Sequence, residues 1–328
     1  MDIQSQIQNK GVSRKQKLSP RTKKRYIWAL IFIIPQTIMF IIFSLYPIVM
    51  SYVYSFFEWD GLGPLEDFIG FENYITLFKS SEFWNAFKNT ILYVLGTTIL
   101  SVGFGLLLAI ILNDATIKGK SIYRTLYFLP VVTTTAIIGI IMSNIFGVDG
   151  LVNQFLLSIN LIEEPIPFLT NGVLAMFVLI AVGSWKALGI NMIYWLAGLQ
   201  GISKELFESA QIDGAGFWTT LRYITLPLLK PMMAIIVLLS LVNGMHVFDL
   251  VKTLTNGDPY FKTETLDLFI YNYAFSGGHS GGDSQMGYAS AAGVLLGLFT
   301  FFISVVFAFF GVSTNNMMKK NKNKERRE

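Results

Sequence analysis

Six side chains that can form hydrogen bonds, stack or carry charge lie inside stretches of the sequence that are otherwise apolar. They are Trp185, Lys186, Ser240, Asn243, His246 and Asp249. The last four recur at every third residue, so on a helix they share one broad face. Donors and acceptors in that pattern suit a ligand rich in hydroxyl groups, with the Trp185 ring as a stacking surface. Two other interpretations stay open. The lysine can extend to the interface or pair with a partner subunit, and polar side chains also hold membrane helices together.

The sequence shows no arrangement of residues that is typical of a catalytic or metal centre. It has no cysteine, and its two histidines, His246 and His279, lie far apart. Gly119-Lys120-Ser121 resembles the end of a phosphate-binding loop, but Asp114 stands where that motif needs a glycine. We therefore expect no metal, no nucleotide site and no enzymatic activity in this chain.

The composition is that of a membrane protein. Of 328 residues, 53% are hydrophobic and only 14% are charged, whereas about a quarter of a soluble domain is charged. Stretches long enough to cross a bilayer as helices recur along the chain. We predict six spans, at about residues 27–57, 89–112, 125–147, 172–199, 231–249 and 288–312.

The basic residues are distributed unevenly between the segments that connect these spans. Twenty of the 25 lysines and arginines fall in residues 1–25, in the loops after the second and fourth spans, and in residues 313–328. Because such residues accumulate on the cytoplasmic side, both basic tails are expected there. A nucleic-acid-binding role for the first tail is not favoured. We predict an all-α integral membrane protein of the cell membrane, with a transmembrane domain at 26–312 and cytoplasmic N- and C-termini.

The predicted cytoplasmic loop at residues 203–231 has a distinctive local pattern. Ser203 can cap a first short helix, and Gly214 ends it because glycine adopts a left-handed backbone at little cost. A second short helix follows, and Pro227 is tolerated where the next helix begins. The charged loop thus lies between two long apolar segments.

This loop resembles the EAA loop of binding-protein-dependent ABC importer permeases. The residues that match are Glu208-Ser209-Ala210, a glycine six residues after the glutamate, and Ile224-Thr225-Leu226-Pro227. Only Ser209, in place of alanine, departs from the family pattern. The resemblance implies contact with a separate ATPase subunit through Glu208, Ser209, Ala210, Asp213, Gly214, Ala215, Ile224, Leu226 and Pro227.

Weaker motifs resemble the sugar permeases of this family, which include maltose, multiple-sugar and glycerol-phosphate permeases. They are Phe71-Glu72-Asn73-Tyr74, Phe83 to Thr90, Arg124 with Phe128-Leu129-Pro130, and Leu254 to Pro259. The family's Gly-Gly-Pro turn is Gly257-Asp258-Pro259 in this chain. The resemblance extends over about residues 26–312.

The resemblance implies a type I ABC importer permease fold and a role in carbohydrate import. It further implies an ATPase dimer that holds ATP and magnesium, a second permease of a different chain, and an extracytoplasmic solute-binding protein. No cofactor is expected in this chain itself. The alternatives are a permease for glycerol-phosphate or another polar solute, a transporter driven by an ion gradient, and a structural or sensor subunit.

Overall fold

A computed structural model describes residues 20–114, 116–279 and 281–325, which form helices and no strand. The helices are α1 (Pro20–Phe40), α2 (Tyr46–Tyr54), α3 (Glu72–Lys79), α4 (Ser81–Asn113), α5 (Lys120–Val132), α6 (Thr135–Ile145), α7 (Leu151–Ser158), α8 (Gly172–Gln200), α9 (Lys204–Ile212), α10 (Phe217–Thr220), α11 (Leu226–Met245), α12 (Asp249–Leu254), α13 (Leu266–Ser276) and α14 (Met286–Glu325). Two π-helical turns, Ile41–Leu45 and Leu221–Thr225, join α1 to α2 and α10 to α11.

Five continuous helical segments are long and apolar enough to cross a membrane. They are Lys24–Tyr54, Ser81–Asn113, Gly172–Gln200, Phe217–Met245 and Met286–Phe307. The bent pair formed by α5 and α6 makes a sixth if it is counted as one span. The chain is thus an all-α protein with five or six membrane-crossing segments.

The chain divides into two compact units, Met1–Ser51 and Tyr52–Glu328. The described part of the first unit is one apolar helical stretch with exposed side chains such as Phe32 and Phe43. The second unit contains the buried core and all the sites described below.

The core of the second unit is built on the packing of α4 against α8. A Cβ atom added to Gly105 of α4 would lie 3.1 Å from the Cβ of Asn191 in α8, so glycine permits the close approach of the two helices. Near this point the indole Nε1 of Trp195, whose side chain is buried, donates a 3.0 Å hydrogen bond to the Val102 carbonyl. The two helices therefore form a rigid pair that holds fixed the side chains along their shared face.

The third predicted span is broken rather than continuous. The axes of α5 and α6 differ by 98°, with the break at Thr133 and Thr134. Pro130 removes one backbone donor from the last turn of α5, and the β-branched threonines that follow lose side-chain freedom in a helix. Both effects weaken the helix at the point where it ends.

The fifth span differs from the predicted 231–249 at both ends, because its helix begins within the preceding loop and ends at Met245. Phe217–Met245 is helical throughout, with the π turn Leu221–Thr225 inside it. Pro227 lies in the first turn of α11, two residues after the end of the π turn. Proline has no N–H and its ring crowds the carbonyl four residues earlier, which a wider π turn accommodates. The same order of π turn, one residue and proline occurs at Ile41–Leu45 and Pro47.

The second span also begins earlier than the predicted 89–112. Ser80 caps α4, and its Oγ accepts a 3.2 Å hydrogen bond from the Phe83 N–H. The first turns of α4 therefore extend to the level of the loop that contains α12 and α13. Helix α8 corresponds to the fourth predicted span. It starts at Gly172, as predicted, and ends at Gln200, one residue after the predicted end at 199.

Candidate functional site

A cavity of about 420 Å³ lies between α4, α8 and α11, and residues of α12 and α13 also line it. Five of the six side chains proposed from the sequence line it: Lys186, Ser240, Asn243, His246 and Asp249. Trp185 does not line it, because the residue next to Lys186 on a helix points about 100° away. The Trp185 side chain is instead 43% exposed on another face of α8.

Ser240 takes part in a hydrogen-bond network that joins three helices. Its Oγ donates to Asn191 Oδ1 at 3.1 Å, and Asn191 Nδ2 donates to Ser101 Oγ at 2.9 Å. Asn191 and Ser101 are buried, so this network ties α11, α8 and α4 together beside the cavity. Ser240 therefore helps to hold the helices together, whereas Asn243 remains exposed to the cavity.

Several polar residues of the cavity were missed in the sequence. Tyr93, Thr97 and Ser101 of α4 line it, and their spacing of four residues puts them on one helical face. That pattern was visible in the second predicted span and could have identified this wall. Thr98 also lines the cavity, and its buried Oγ1 has no hydrogen-bond partner among the described residues.

The charged side chains that line the cavity come from different segments of the chain. His246 Nδ1 lies 3.7 Å from Asp267 Oδ1, which belongs to α13 and was not predicted from the sequence. The Asp249 carboxylate lines the same cavity as Lys186 and attracts its ammonium group. This chain therefore supplies a negatively charged residue in the same cavity as the lysine.

In the loop at 203–231, helix α9 ends in a Schellman motif. The Gly214 N–H bonds to the Gln211 carbonyl at 3.0 Å, and the Ala215 N–H bonds to the Ala210 carbonyl at 2.9 Å. Gly214 has φ +76°, the left-handed conformation that this motif requires. Ser203 occupies the N-cap position, but its side chain makes no capping hydrogen bond.

This loop presents a mixed acidic and aromatic surface. Glu208, Ser209 and Asp213 are exposed, whereas Ala210 is buried. The side chains of Phe217 and Trp218 are 61% and 76% exposed. Ile224, Leu226 and Pro227 are half-buried and form the connection from this loop into α11. Large exposed aromatics beside carboxylates are typical of a protein contact surface.

A second polar cluster lies in the loop between α11 and α14. The Glu264 side chain is 0% exposed, and its two carboxylate oxygens each lie 2.7 Å from a partner, Asn272 Nδ2 and His279 Nε2. The imidazole stacks on Phe261 with ring centroids 3.5 Å apart, and its Nδ1 lies 3.5 Å from Glu82 Oε1. His279, which lies between α13 and α14, thus contributes an imidazole that is only 9% exposed.

Burial determines the acid–base properties of this cluster. It raises the pKa of the Glu264 carboxyl, and the charge of the nearby His279 ring opposes part of that rise. The pKa of the Tyr273 hydroxyl is raised by burial and by the hydrogen bond that it donates to Glu82. These groups hold the loop between α12 and α14 to the N-terminal end of α4.

Comparisons with known proteins agree with this geometry. Residues 101–315 match the family described as binding-protein-dependent transport system inner membrane component. The lactose transport system permease protein LacF of Rhizobium radiobacter is 34% identical over 75% of this chain and 82% of its own. The chain belongs to this permease family. The arabinooligosaccharides transport system permease protein AraP of Bacillus subtilis is 34% identical over 84% of this chain and 86% of its own.

Solved structures agree with the fold. A bacterial ABC transporter involved in the import of the acidic polysaccharide alginate matches with a TM-score of 0.74 and 26% identity, over 92% of this chain and 98% of the other. A second structure, of an alginate transporter with its pentasaccharide-bound periplasmic protein, matches equally well. This multi-pass membrane protein is thus a permease of a carbohydrate ABC importer with the type I fold, as predicted.

Proposed function

We propose that the cavity between α4, α8 and α11 is the part of the carbohydrate path that this permease contributes. The polar groups of three helices face one space at the depth of the spans, where an unused polar group is costly. Asn243 is exposed to the cavity and offers a donor and an acceptor that are not committed to the helix network. A sugar needs such groups because each of its hydroxyls must exchange its bonds to water for bonds to protein.

The loop at 203–231 is the proposed contact with a cytoplasmic ATPase dimer. The observation that supports this role is continuity, since one helix runs from the exposed Phe217 to Met245 beside the cavity. Movement of the loop on ATP binding by the partner is thereby passed to the cavity wall. Alternating access to the two sides of the membrane follows if the two positions of the loop favour different states of the spans.

In this proposal the chain performs no reaction and holds no cofactor. ATP and magnesium are bound by the ATPase, a second permease of a different chain completes the path, and an extracytoplasmic binding protein delivers the sugar. The match to a transporter solved with its periplasmic protein supports the last of these partners. The membrane lipid surrounds the apolar helices.

The coupling role can be tested by replacing Gly214. We expect Gly214→Trp to abolish uptake and to release the ATPase from complexes purified in mild detergent, while the chain still inserts in the membrane. The added ring would project from an open position, since a Cβ at Gly214 meets no atom within 4 Å. The readouts are sugar uptake by cells and the amount of ATPase that copurifies.

Gly119→Trp is the matched control for this experiment. Gly119 has φ +73° and equally open surroundings, so the variant carries the same backbone strain outside the loop. We expect it to retain the ATPase and to transport. Normal uptake by Gly214→Trp, or equal loss of the ATPase from both variants, would contradict the proposed contact. Glu208→Lys gives a second test by reversing an exposed charge on the same surface.

A further inference from the structure

The ionisable groups that line the cavity, apart from its tyrosines, are two potential cations and two acids. Lys186 and His246 are the potential cations, and Asp249 and Asp267 are the acids. His246 Nδ1 lies 3.7 Å from the Asp267 carboxylate, and Asp249 lines the same cavity as Lys186, so its negative charge acts across the same space. Even with the histidine protonated, these four groups sum to zero charge, and with the histidine neutral the sum is negative.

A solute with carboxylate or phosphate groups would enter this space at a disadvantage. An anion that leaves water needs a cation or several donors to replace its hydration. Here it would have to compete with Asp249 for Lys186 and with Asp267 for His246. A neutral hydroxyl-rich solute has no such competitor, because Asn243 provides an uncharged donor and acceptor to it.

The two acids are not equally placed to act on a solute. The Asp267 side chain is only 19% exposed and is held by His246. Asp249 is exposed to the cavity, so its carboxylate faces the same space as Lys186. It is therefore the acid that an entering solute meets beside Lys186.

We propose that this path selects uncharged carbohydrates over anionic ones, and that Asp249 is the residue that sets the preference by neutralising Lys186. The inference rests on the proposed function of the cavity as a sugar path. It separates this permease from the structurally similar transporter that imports acidic alginate. It also argues against glycerol-phosphate as the solute.

The test is direct binding to the purified complex without its binding protein, so that the specificity of that protein does not enter. Saturation-transfer NMR detects weak binding, and the probes are maltotriose and raffinose as neutral sugars and trigalacturonate as the anionic one. For the wild-type complex we expect saturation of a neutral sugar and little of trigalacturonate. Asp249→Asn, which preserves the shape of the side chain, should raise the relative affinity for trigalacturonate by about tenfold.

Two further variants test whether the probes bind in the cavity and whether the effect of Asp249→Asn is specific to that site. Asp67→Asn removes an exposed acid of the outer loop and should leave the preference unchanged. Asn243→Leu should abolish saturation of the neutral sugar. If trigalacturonate binds the wild type as well as the neutral sugars, or Asp249→Asn changes nothing, the charge inference is wrong and the path stands. If Asn243→Leu has no effect, or no probe binds, the path itself is wrong.

Discussion

The two polar clusters of this permease differ in how far their hydrogen bonds are satisfied. In the cluster around Glu264, both carboxylate oxygens of this residue have partners, and the carboxylate is fully buried. In the cavity, Asn243 and Asp249 are exposed, and the Thr98 hydroxyl has no partner among the described residues. Both clusters are polar groups inside a largely apolar protein, yet only the second leaves groups free for a ligand.

This difference separates polar residues that build the fold from those that serve transport. A buried polar group that has its partners adds rigidity, and losing one partner leaves the others unpaired. A polar group that faces a cavity is solvated in the absence of ligand, so its removal costs little stability. Substitutions in the cluster around Glu264 should therefore lower stability, whereas substitutions of exposed cavity residues should lower transport with little loss of stability.

The largest loss of stability is expected from Glu264→Leu. The variant leaves Asn272 and His279 without their buried partner, and breaking a buried pair in this way costs about 3–5 kcal/mol. Thermal unfolding of the purified complex measures the effect as a lower midpoint. Glu66→Leu, at an exposed acid of the outer region, is the matched control and should unfold near the wild-type temperature. Equal midpoints for the two variants would show that the cluster does not stabilise the fold.

An intermediate loss is expected from Asn191→Leu, which breaks the links to Ser101 and Ser240. Interhelical hydrogen bonds in membranes contribute about 0.6 kcal/mol each on average, so the free energy of unfolding should fall by about 1 kcal/mol. Chemical unfolding in detergent can measure a change of this size. No change in stability, combined with a loss of transport, would give Asn191 a role in transport rather than in the fold.

The smallest effect on stability is expected from Asn243→Ala, with a change within about 0.5 kcal/mol, as is usual at exposed positions. Transport should nevertheless fall by about tenfold, since one lost hydrogen bond to the sugar in the transition between states is worth about 1.4 kcal/mol. Initial rates of sugar uptake, normalised to the amount of complex, measure this. A variant that is strongly destabilised would make Asn243 a residue of the fold.

The contrast between the two clusters also marks what could be predicted from the sequence. The membrane helices follow from local composition, and α8, the fourth predicted span, starts at the residue that its apolar run predicts. The predicted polar face of the fifth span is present at Ser240 and Asn243, whereas His246 and Asp249 lie beyond the end of that helix at Met245 and reach the cavity from the segment that follows. Periodicity along one segment is sufficient for such features.

The remaining features depend on contacts between distant segments. Glu264 is one acid between two threonines, and nothing local indicates that His279 and Glu82 approach it. The break between α5 and α6 was missed because its threonines and Pro130 are all tolerated in apolar spans. The commitment of Ser240 to Asn191, and the exclusion of Trp185 from the cavity, depend on how helices rotate against each other. A single sequence does not give that rotation.

The π turn at Leu221–Thr225 has a geometric consequence for the fifth span. A π turn closes its hydrogen bond one residue later than an α turn, and one residue corresponds to about 100° of rotation about the helix axis. The azimuth of Phe217 and Trp218 relative to Asn243 is therefore offset by about that angle from a straight α-helix. If the turn relaxed to α-helix, the aromatic surface would swing around the axis without any change in the rest of α11. The π turn thus fixes the rotation about the helix axis between the aromatic surface of the loop and the wall of the cavity.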